Sequence, residues 1–375
     1  YKSEEAYALE ITDETITIAS HTEKGISLGL KTLSKLTDEG EGIPGVLIQD
    51  EPAIAFRGIH LCIFNPADGT EKEDTSPAAI KKMLLTAAMS GYNHVFLEFW
   101  GMFPFQRRPY AVWHNDIYPL SVVKEIVSYA LEDLHITPCP AQNLTSHAGW
   151  SRIMSRKHVV LDQRPDLDEM WIPGGWCFAT ENPETRLYLQ DIMDELLEAF
   201  RNPPLFHVCS DKCFGFGSTE EDRTKPADIL FLKHLCFLNS YLAKHGTRMM
   251  MWSDMLYSAM DALYWKTNPQ VSDYLPKNVL INIWTHNDPG SYWHDVEFFE
   301  SKGFQTVYSP FIEERGIRSM VRLCQRYGSY GLLQTTWHRP QTALPAVVIS
   351  GAAQWNDCEY LAANIQSFAQ KWYRN

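Results

Sequence analysis

The chain of 375 residues is 45% hydrophobic and 21% charged, with a formal net charge of −13. This length and composition are typical of a globular protein with a full hydrophobic core, and the acidic balance argues against a nucleic-acid partner, which would need a basic surface. No run of about 18 apolar residues occurs, so we expect no membrane insertion and a soluble protein, either cytoplasmic or exported with its signal removed.

The first part of the chain has the pattern of a small α+β unit. Alternating apolar residues predict strands over 7–11 and 15–19, and apolar residues at helical spacing predict a helix over 26–36. Glycines and a proline end this helix, and residues 46–50 predict one more strand. We therefore assign residues 1–53 to a small α+β domain.

From residue 54 to residue 375, short apolar strands alternate with amphipathic helices, the pattern of parallel β-α-β units. Eight such strands predict a (β/α)8 TIM barrel, in which catalytic groups lie at the carboxyl ends of the strands. The predicted strands cover residues 58–63, 94–99, 136–138, 205–209, 249–252, 280–284, 306–308 and 331–335. The predicted helices between them include residues 77–90, 121–134, 185–200, 227–245 and 317–327.

The eight cysteines are scattered through mostly apolar surroundings, which favours buried, reduced thiols over a fold held together by disulfides. Cys209 and Cys213 are four residues apart, but no second Cys or His pair accompanies them at the spacing of a zinc site. No glycine-rich phosphate-binding loop occurs either. We therefore expect no metal and no cofactor, while the oligomeric state stays open.

Most of the predicted strands end next to an aromatic and a polar residue. Aromatic faces stack on the apolar faces of sugar rings, so this pattern favours a carbohydrate pocket at the mouth of the barrel. Structural roles stay open as well, because tryptophans can fill a barrel, an aspartate can cap a helix, and adjacent charges can simply pair. The residues in question are Glu98, Trp100, Asn143, His147, Asp211, Lys212, Trp252, Asp254, Trp284, Tyr308, Trp337 and His338.

The segment 206–212, Phe-His-Val-Cys-Ser-Asp-Lys, resembles the His-x-Gly-x-Asp-Glu strand end of the family 20 glycoside hydrolases, the β-N-acetylhexosaminidases. Residues 56–61 are similar to the Arg-Gly motif of the family's first strand, and residues 140–148 to its Pro-x-x-Asn-x-x-Gly-His-Ala loop. The resemblance covers almost the whole chain. It implies a barrel that follows a small α+β domain, and we expect the chain to lack the start of that domain. It also implies a glycan or glycoconjugate ligand.

The resemblance also implies a mechanism, the substrate-assisted, retaining removal of terminal β-linked N-acetylhexosamine by an exo-acting enzyme. The acetamido oxygen of the sugar attacks the anomeric carbon, so Asp211 would orient the acetamido group and His147 would tune the acid. Trp252, Trp284 and Trp337 would form the wall of the sugar pocket. The other residues that we expect to contact the substrate are Arg57, Glu98, Trp100, Asn143, Asp254, Tyr308 and His338.

Lys212 stands where the family has its general acid, a glutamate. An ammonium with an ordinary pKa of about 10.4 is a poor replacement for a carboxylic acid, although a lysine desolvated in a pocket can fall to about 7 and donate a proton. Ser146 and Cys209 replace glycines of the motifs, and Asn65 replaces an arginine that grips the sugar hydroxyls in many members of the family. Pro310 stands where the family's Tyr-x-Asp pattern has an aspartate. Two hypotheses stay open: a glycosidase with weak or altered activity, and an inactive protein that binds carbohydrate in the same pocket.

Overall fold

Two sheets organise the chain, a three-stranded antiparallel sheet near its start and a closed barrel of eight parallel strands after it. The computed structural model describes residues 3–37, 42–43, 45–63, 73–112, 117–149, 158–257, 269–284, 292–337 and 339–356. The strands are β1 (Tyr7–Ile11), β2 (Ile16–Ala19), β3 (Val46–Asp50), β4 (Phe56–Cys62), β5 (His94–Glu98), β6 (Thr137–Ala141), β7 (Leu205–His207), β8 (Arg248–Trp252), β9 (Leu280–Trp284), β10 (Gln305–Ser309) and β11 (Gly331–Thr335). The helices are α1 (Glu23–Thr37), α2 (Pro77–Met89), α3 (Leu120–Ser128), α4 (Pro183–Ala199), α5 (Ala227–Lys244), α6 (Val271–Tyr274), α7 (Tyr292–Ser301), α8 (Glu314–Tyr327) and α9 (Leu344–Asn356). None of the helices within these ranges is long and apolar enough to cross a membrane.

The small sheet has the strand order β2-β1-β3, and its pairs are antiparallel. The central strand β1 alternates as a half-buried strand should, with Tyr7, Leu9 and Ile11 buried. These side chains pack against apolar residues of α1, among them Leu28 and Leu33. The α+β unit expected at the start of the chain is therefore confirmed.

The barrel closes in the strand order β10-β11-β4-β5-β6-β7-β8-β9, with neighbouring strands parallel. Helices cover its outside, so strands such as β4 and β11 are buried along their whole length. This architecture confirms the predicted (β/α)8 barrel. Its interior is filled by Phe56, Phe96, Cys139, Leu205, Met250, Leu280, Val307 and Leu333.

Helix α9 carries apolar residues on nearly every side and so lacks a clear helical period. Its Gly351 lies against the end of α2, where a Cβ atom would come within 2.3 Å of the backbone oxygen of Ser90. Glycine at this position therefore allows α9 to pack closely against the outside of the barrel.

Arg57 does not lie in the candidate pocket, which corrects the predicted role in substrate binding. It stands near the start of β4, at the end of the barrel opposite the strand tips, and its side chain is fully buried. The guanidinium pairs with Glu5 at 2.8 Å, donates to the carbonyl of Gly91 at 2.7 Å, and lies 5.0 Å from the ring of Trp355. Arg57 thus ties the segment before β1 to the base of the barrel.

Replacing Glu5 with glutamine is expected to lower the free energy of unfolding by about 3 kcal/mol, because it leaves the buried Arg57 cation without its partner charge. Chemical denaturation measures this change. Glu10→Gln, at an exposed position of the same domain, is the matched control and should be nearly neutral. Equal effects of the two substitutions would show that the ion pair does not stabilise the fold.

Candidate active site

Strand β7 ends at His207, earlier than the predicted range 205–209, and a tight turn follows. Cys209, Ser210 and Lys212 have positive φ angles of 59°, 65° and 47°, and such left-handed residues break a β ladder. The Cys209 amide donates to Nδ1 of His207 at 3.0 Å, and the Trp252 amide donates to the Cys209 carbonyl at 2.9 Å. The turn overrides the alternation of a strand and brings the adjacent aspartate and lysine side chains to one place.

Asp211 is a buried carboxylate that contacts a lysine ammonium and a histidine imidazole. Its Oδ2 atom lies 2.9 Å from Nζ of Lys212 and 3.3 Å from Nε2 of His147. Burial by itself would raise the pKa of Asp211, but Lys212 and His147 outweigh burial and hold that pKa well below its ordinary value. Asp211 is therefore ionised at any physiological pH.

The backbone of Lys212 is fixed on both sides. Its amide donates to Oδ2 of Asp254 at 2.9 Å, and its carbonyl accepts from Nε1 of Trp176 at 2.6 Å. The side chain extends over the indole of Trp284, where Nζ lies 4.5 Å from the ring centroid. A cation over an indole face is attracted by the ring quadrupole. The ammonium thus contacts both the Asp211 carboxylate and the Trp284 indole.

Asp254 connects the lysine backbone to the tryptophan wall. It is 1% exposed, and its Oδ1 atom accepts from Nε1 of Trp284 at 3.1 Å while Oδ2 accepts from the Lys212 amide. Burial, and secondarily the charge of Asp211, raises the pKa of Asp254 to about 6. The predicted contact residue is therefore buried and hydrogen-bonded to both Lys212 and Trp284.

Aromatic rings surround His147. Its imidazole lies 4.3 Å from the ring of Trp176 and 5.5 Å from that of Trp100, between ring centroids. Ser146, which stands at the position of a family glycine, donates its hydroxyl to the Asp211 carbonyl. The loop before α4 and the tip of β7 therefore hold each other, and the serine strengthens that contact.

Glu98, at the end of β5, is a second buried carboxylate, and both of its oxygens are engaged. Oε1 accepts from Nδ2 of Asn143 at 2.5 Å, and Oε2 lies 2.8 Å from Nε2 of His60. A cleft beside this pair is lined by Glu98, Asn143, Trp100 and His147 among others. Four of the predicted site residues are thus brought together at the ends of β5 and β6.

The three tryptophans expected to form the sugar wall are contiguous. The ring centroid of Trp337 lies 5.4 Å from that of Trp252 and 6.3 Å from that of Trp284. Trp252 is 1% exposed and packs on His207, whereas Trp284 and Trp337 are partly exposed. His60 lies 5.6 Å from the Trp337 ring and so links this wall to the Glu98 cluster.

Tyr308 points away from the pocket, which corrects the expectation that it contacts the substrate. Its hydroxyl lies 2.5 Å from Oγ of Ser329, between the barrel and its helical layer. The neighbouring residues Val307 and Ser309 face the barrel interior, so the alternation of β10 turns Tyr308 outward. A residue near a strand tip reaches the pocket only when the register of the strand points it inward.

Two site residues, His60 and Trp176, are absent from the sequence-based prediction. His60 is a polar residue that follows Ile59 in the buried strand β4, and it lies two positions after Gly58 on the same face of the strand. Trp176 lies in a long loop, where no periodic pattern indicates which side chains turn inward. The predicted His338 and the departure Asn65 lie outside the described residues.

Replacing Asp254 with asparagine is expected to change how stability depends on pH. Because the folded state raises the pKa of Asp254 from 3.8 to about 6, its stabilising contribution is present below pH 3.8 and is lost as the pH rises through about 6. Asparagine does not titrate, so Asp254→Asn should gain up to about 3 kcal/mol relative to the unmodified protein between about pH 4 and about pH 7. Denaturation at both pH values measures this, and a pH-independent difference would contradict the assigned environment.

Two parts of the chain match descriptions of one glycosidase family. Residues 102–313 match the catalytic domain of glycosyl hydrolase family 20, and residues 2–51 match domain 2 of the same family. The first match alone covers more than half of the chain, so the chain belongs to glycosyl hydrolase family 20.

Individual relatives agree with this assignment. The β-hexosaminidase subunit beta of Entamoeba histolytica is 25% identical over 171 residues, which are 40% of this chain and 29% of that protein. Among solved structures, the chitobiase of Flavobacterium johnsoniae has a TM-score of 0.75 at 17% identity and covers 98% of this chain and 59% of its own.

Two further structures are similar over nearly the whole chain. The β-N-acetylhexosaminidase of Bacteroides fragilis has a TM-score of 0.73 at 18% identity, over 99% of this chain and 82% of its own. The exo-β-N-acetylglucosaminidase of Vibrio harveyi, solved with N-acetylglucosamine, has a TM-score of 0.73 at 14% identity, over 99% of this chain and 66% of its own. At these identities the likeness shows the fold. The chain spans 29% of the curated relative and 59% of the chitobiase, so it corresponds to part of each.

Proposed function

We propose that the chain is an exo-acting glycosidase of the β-N-acetylhexosaminidase type, with weak turnover, and that it removes terminal β-linked N-acetylhexosamine. The observation that carries this proposal is the buried Asp211, whose partner Lys212 lies over the partly exposed Trp284, next to Trp337. The small domain comprises residues 1–53 and the catalytic-type barrel residues 54–375. The ligand is a glycan or glycoconjugate with a terminal sugar that enters the mouth of the barrel.

The first chemical step suits an ionised aspartate. The acetamido oxygen attacks the anomeric carbon, the glycosidic bond breaks, and its electron pair leaves with the departing oxygen. Asp211 accepts the acetamido N–H and stabilises the positive charge that develops on the oxazolinium ring. A carboxylate kept ionised by His147 and Lys212 is in place before the reaction begins, and such preorganised charge lowers the barrier. Water then opens the ring with retention of configuration.

Protonation of the leaving oxygen is the weak part of this site. Among the described residues around Asp211, Glu98 and Asp254 have both carboxylate oxygens engaged in hydrogen bonds. Lys212 supplies an ammonium, which is paired with Asp211 at 2.9 Å, in place of a carboxylic acid. Substrates whose leaving groups need little protonation should therefore react best.

The pairing of Lys212 with Asp211 favours a second candidate function. An ammonium 2.9 Å from the aspartate partly neutralises the charge that would stabilise the oxazolinium ring. A pocket without a competent acid can still bind a sugar through its tryptophans and Asp211. The alternative is thus an inactive, carbohydrate-binding member of the family.

A leaving-group comparison separates the two candidates. Hydrolysis of an activated nitrophenyl β-N-acetylglucosaminide is compared with hydrolysis of N,N′-diacetylchitobiose, and Asp211→Ala is assayed alongside. We expect slow hydrolysis of the aryl glycoside, still slower hydrolysis of the disaccharide, and loss of both in Asp211→Ala.

The other outcomes are also informative. Saturable binding of N-acetylglucosamine without hydrolysis of either substrate would refute the enzyme and establish the binding protein. Hydrolysis that survives Asp211→Ala would refute the role of Asp211. Neither hydrolysis nor binding would refute both candidate functions.

A further inference from the structure

We infer that Lys212 is a specificity-determining residue whose ammonium occupies the acetamido subsite and competes with the N-acetyl group of the sugar for Asp211. The inference rests on the proposed function in one respect, the assignment of Asp211 and the tryptophan wall to the acetamido group. It goes beyond that function by naming an internal competitor of the substrate.

The position of the ammonium is the first argument. Nζ of Lys212 lies 2.9 Å from Oδ2 of Asp211 and 4.5 Å from the ring centroid of Trp284. One of these groups is the proposed acceptor of the acetamido N–H, and the other is a proposed wall for the same group. The lysine therefore makes the two contacts that an acetamido group would make, an N–H donated to the carboxylate and a contact with the indole face.

The backbone of Lys212 explains why its side chain points inward. The amide is held by Asp254 and the carbonyl by Trp176, with the residue in the left-handed region at a φ of 47°. The side chain can leave the subsite only by rotating its own χ angles, because the peptide groups on either side are fixed. The Lys212 side chain is 27% exposed, so part of it already reaches solvent and it can rotate toward solvent.

This arrangement has a consequence for affinity. A sugar that carries an acetamido group must displace the ammonium from Asp211 and Trp284 before it can bind, and the apparent affinity falls by the fraction of molecules with an open subsite. A sugar with a hydroxyl group at that carbon does not need the subsite. Lys212 therefore reduces the preference of the pocket for N-acetylated sugars.

The test is calorimetric titration of N-acetylglucosamine and of glucose into the unmodified protein and two variants. Lys212→Ala empties the subsite, and Lys212→Arg keeps a cation there. We expect Lys212→Ala to bind N-acetylglucosamine about tenfold more tightly or better, since the ammonium no longer competes with the acetamido N–H for the Asp211 carboxylate. Lys212→Arg should bind like the unmodified protein, and the affinity for glucose should not change in either variant.

A further variant replaces Lys212→Ala in this test if alanine at this backbone conformation prevents folding. Lys212→Gly removes the same side chain, and glycine is favoured at a φ of 47°. It should show the same gain for N-acetylglucosamine.

The outcomes distinguish this inference from the proposed function. If Lys212→Ala and Lys212→Gly bind N-acetylglucosamine no better than the unmodified protein, while Asp211→Ala weakens that binding, the competition is refuted and the proposed function stands. An equal gain for glucose would also refute the competition, because it would show a general opening of the pocket. If no form binds either sugar, the proposed function and this inference both fail.

Discussion

Replacing Lys212 with glutamate is expected to raise the turnover of β-N-acetylglucosaminides by about 10²–10⁴-fold, the range of general acid catalysis. The substitution supplies a carboxylic acid beside Asp211 and removes the ammonium that now pairs with it. The gain should be largest for the disaccharide, whose leaving group needs the proton most. Steady-state rates on the disaccharide and on the nitrophenyl glycoside measure the effect.

Lys212→Met is the control for this prediction, because it removes the ammonium and supplies no acid. It should raise the rate constant kcat for the disaccharide far less than Lys212→Glu does, because it frees Asp211 but supplies no proton to the leaving group. If Lys212→Glu gives no gain in a folded protein, the pocket has diverged from an active glycosidase at more than this one position. Cys209, Ser146 and Pro310 are then the departures to reverse next.

The second large effect is expected from Asp211. Asp211→Ala should lower kcat/KM for N-acetylglucosaminides by about 10²–10³-fold, comparable with the loss of one preorganised group that stabilises transition-state charge. The substitution removes both the acceptor of the acetamido N–H and the anion next to the oxazolinium ring. The measurement is most sensitive in the Lys212→Glu background, where the starting rate is higher.

Asp222 provides a matched control for this substitution. It is 3% exposed and accepts from Nζ of Lys225 at 3.1 Å, so it is also a buried aspartate paired with a nearby lysine. Asp222→Ala should reduce stability but leave kcat/KM within a few-fold. Equal losses in the two variants would indicate that Asp211 contributes to the fold and not to the chemistry.

Strands with a strong apolar pattern could be predicted from the sequence. The ranges 280–284 and 331–335 coincide with β9 and β11, because these strands are buried on both faces and flanked by clear breaks. Once eight such strands alternate with helices, the barrel follows, and so does the grouping of polar strand ends at one mouth. That is why Asp211, His147 and the tryptophan wall were found together.

The direction of individual side chains could not be predicted. Tyr308 is predicted in the pocket from its place at a strand end, and Arg57 from its place in a motif. The alternation of β10 turns Tyr308 outward, and Arg57 lies near the start of β4, at the opposite end of the barrel. The contact of His60 with Glu98 joins β4 and β5 and depends on the register between these strands. That register cannot be predicted from the sequence. The positive φ angles of the turn at Cys209 could not be predicted either, because non-glycine residues rarely adopt them.

Titration of the unmodified protein with N-acetylglucosamine and with glucose, next to Asp211→Ala and Asp222→Ala, tests the central claim most directly. The account predicts saturable binding of N-acetylglucosamine that weakens about tenfold or more in Asp211→Ala, the size of a hydrogen bond to a charged group. Binding to Asp222→Ala should not change. Binding of N-acetylglucosamine that is as strong in Asp211→Ala as in the unmodified protein would contradict the assignment of this pocket to the acetamido group.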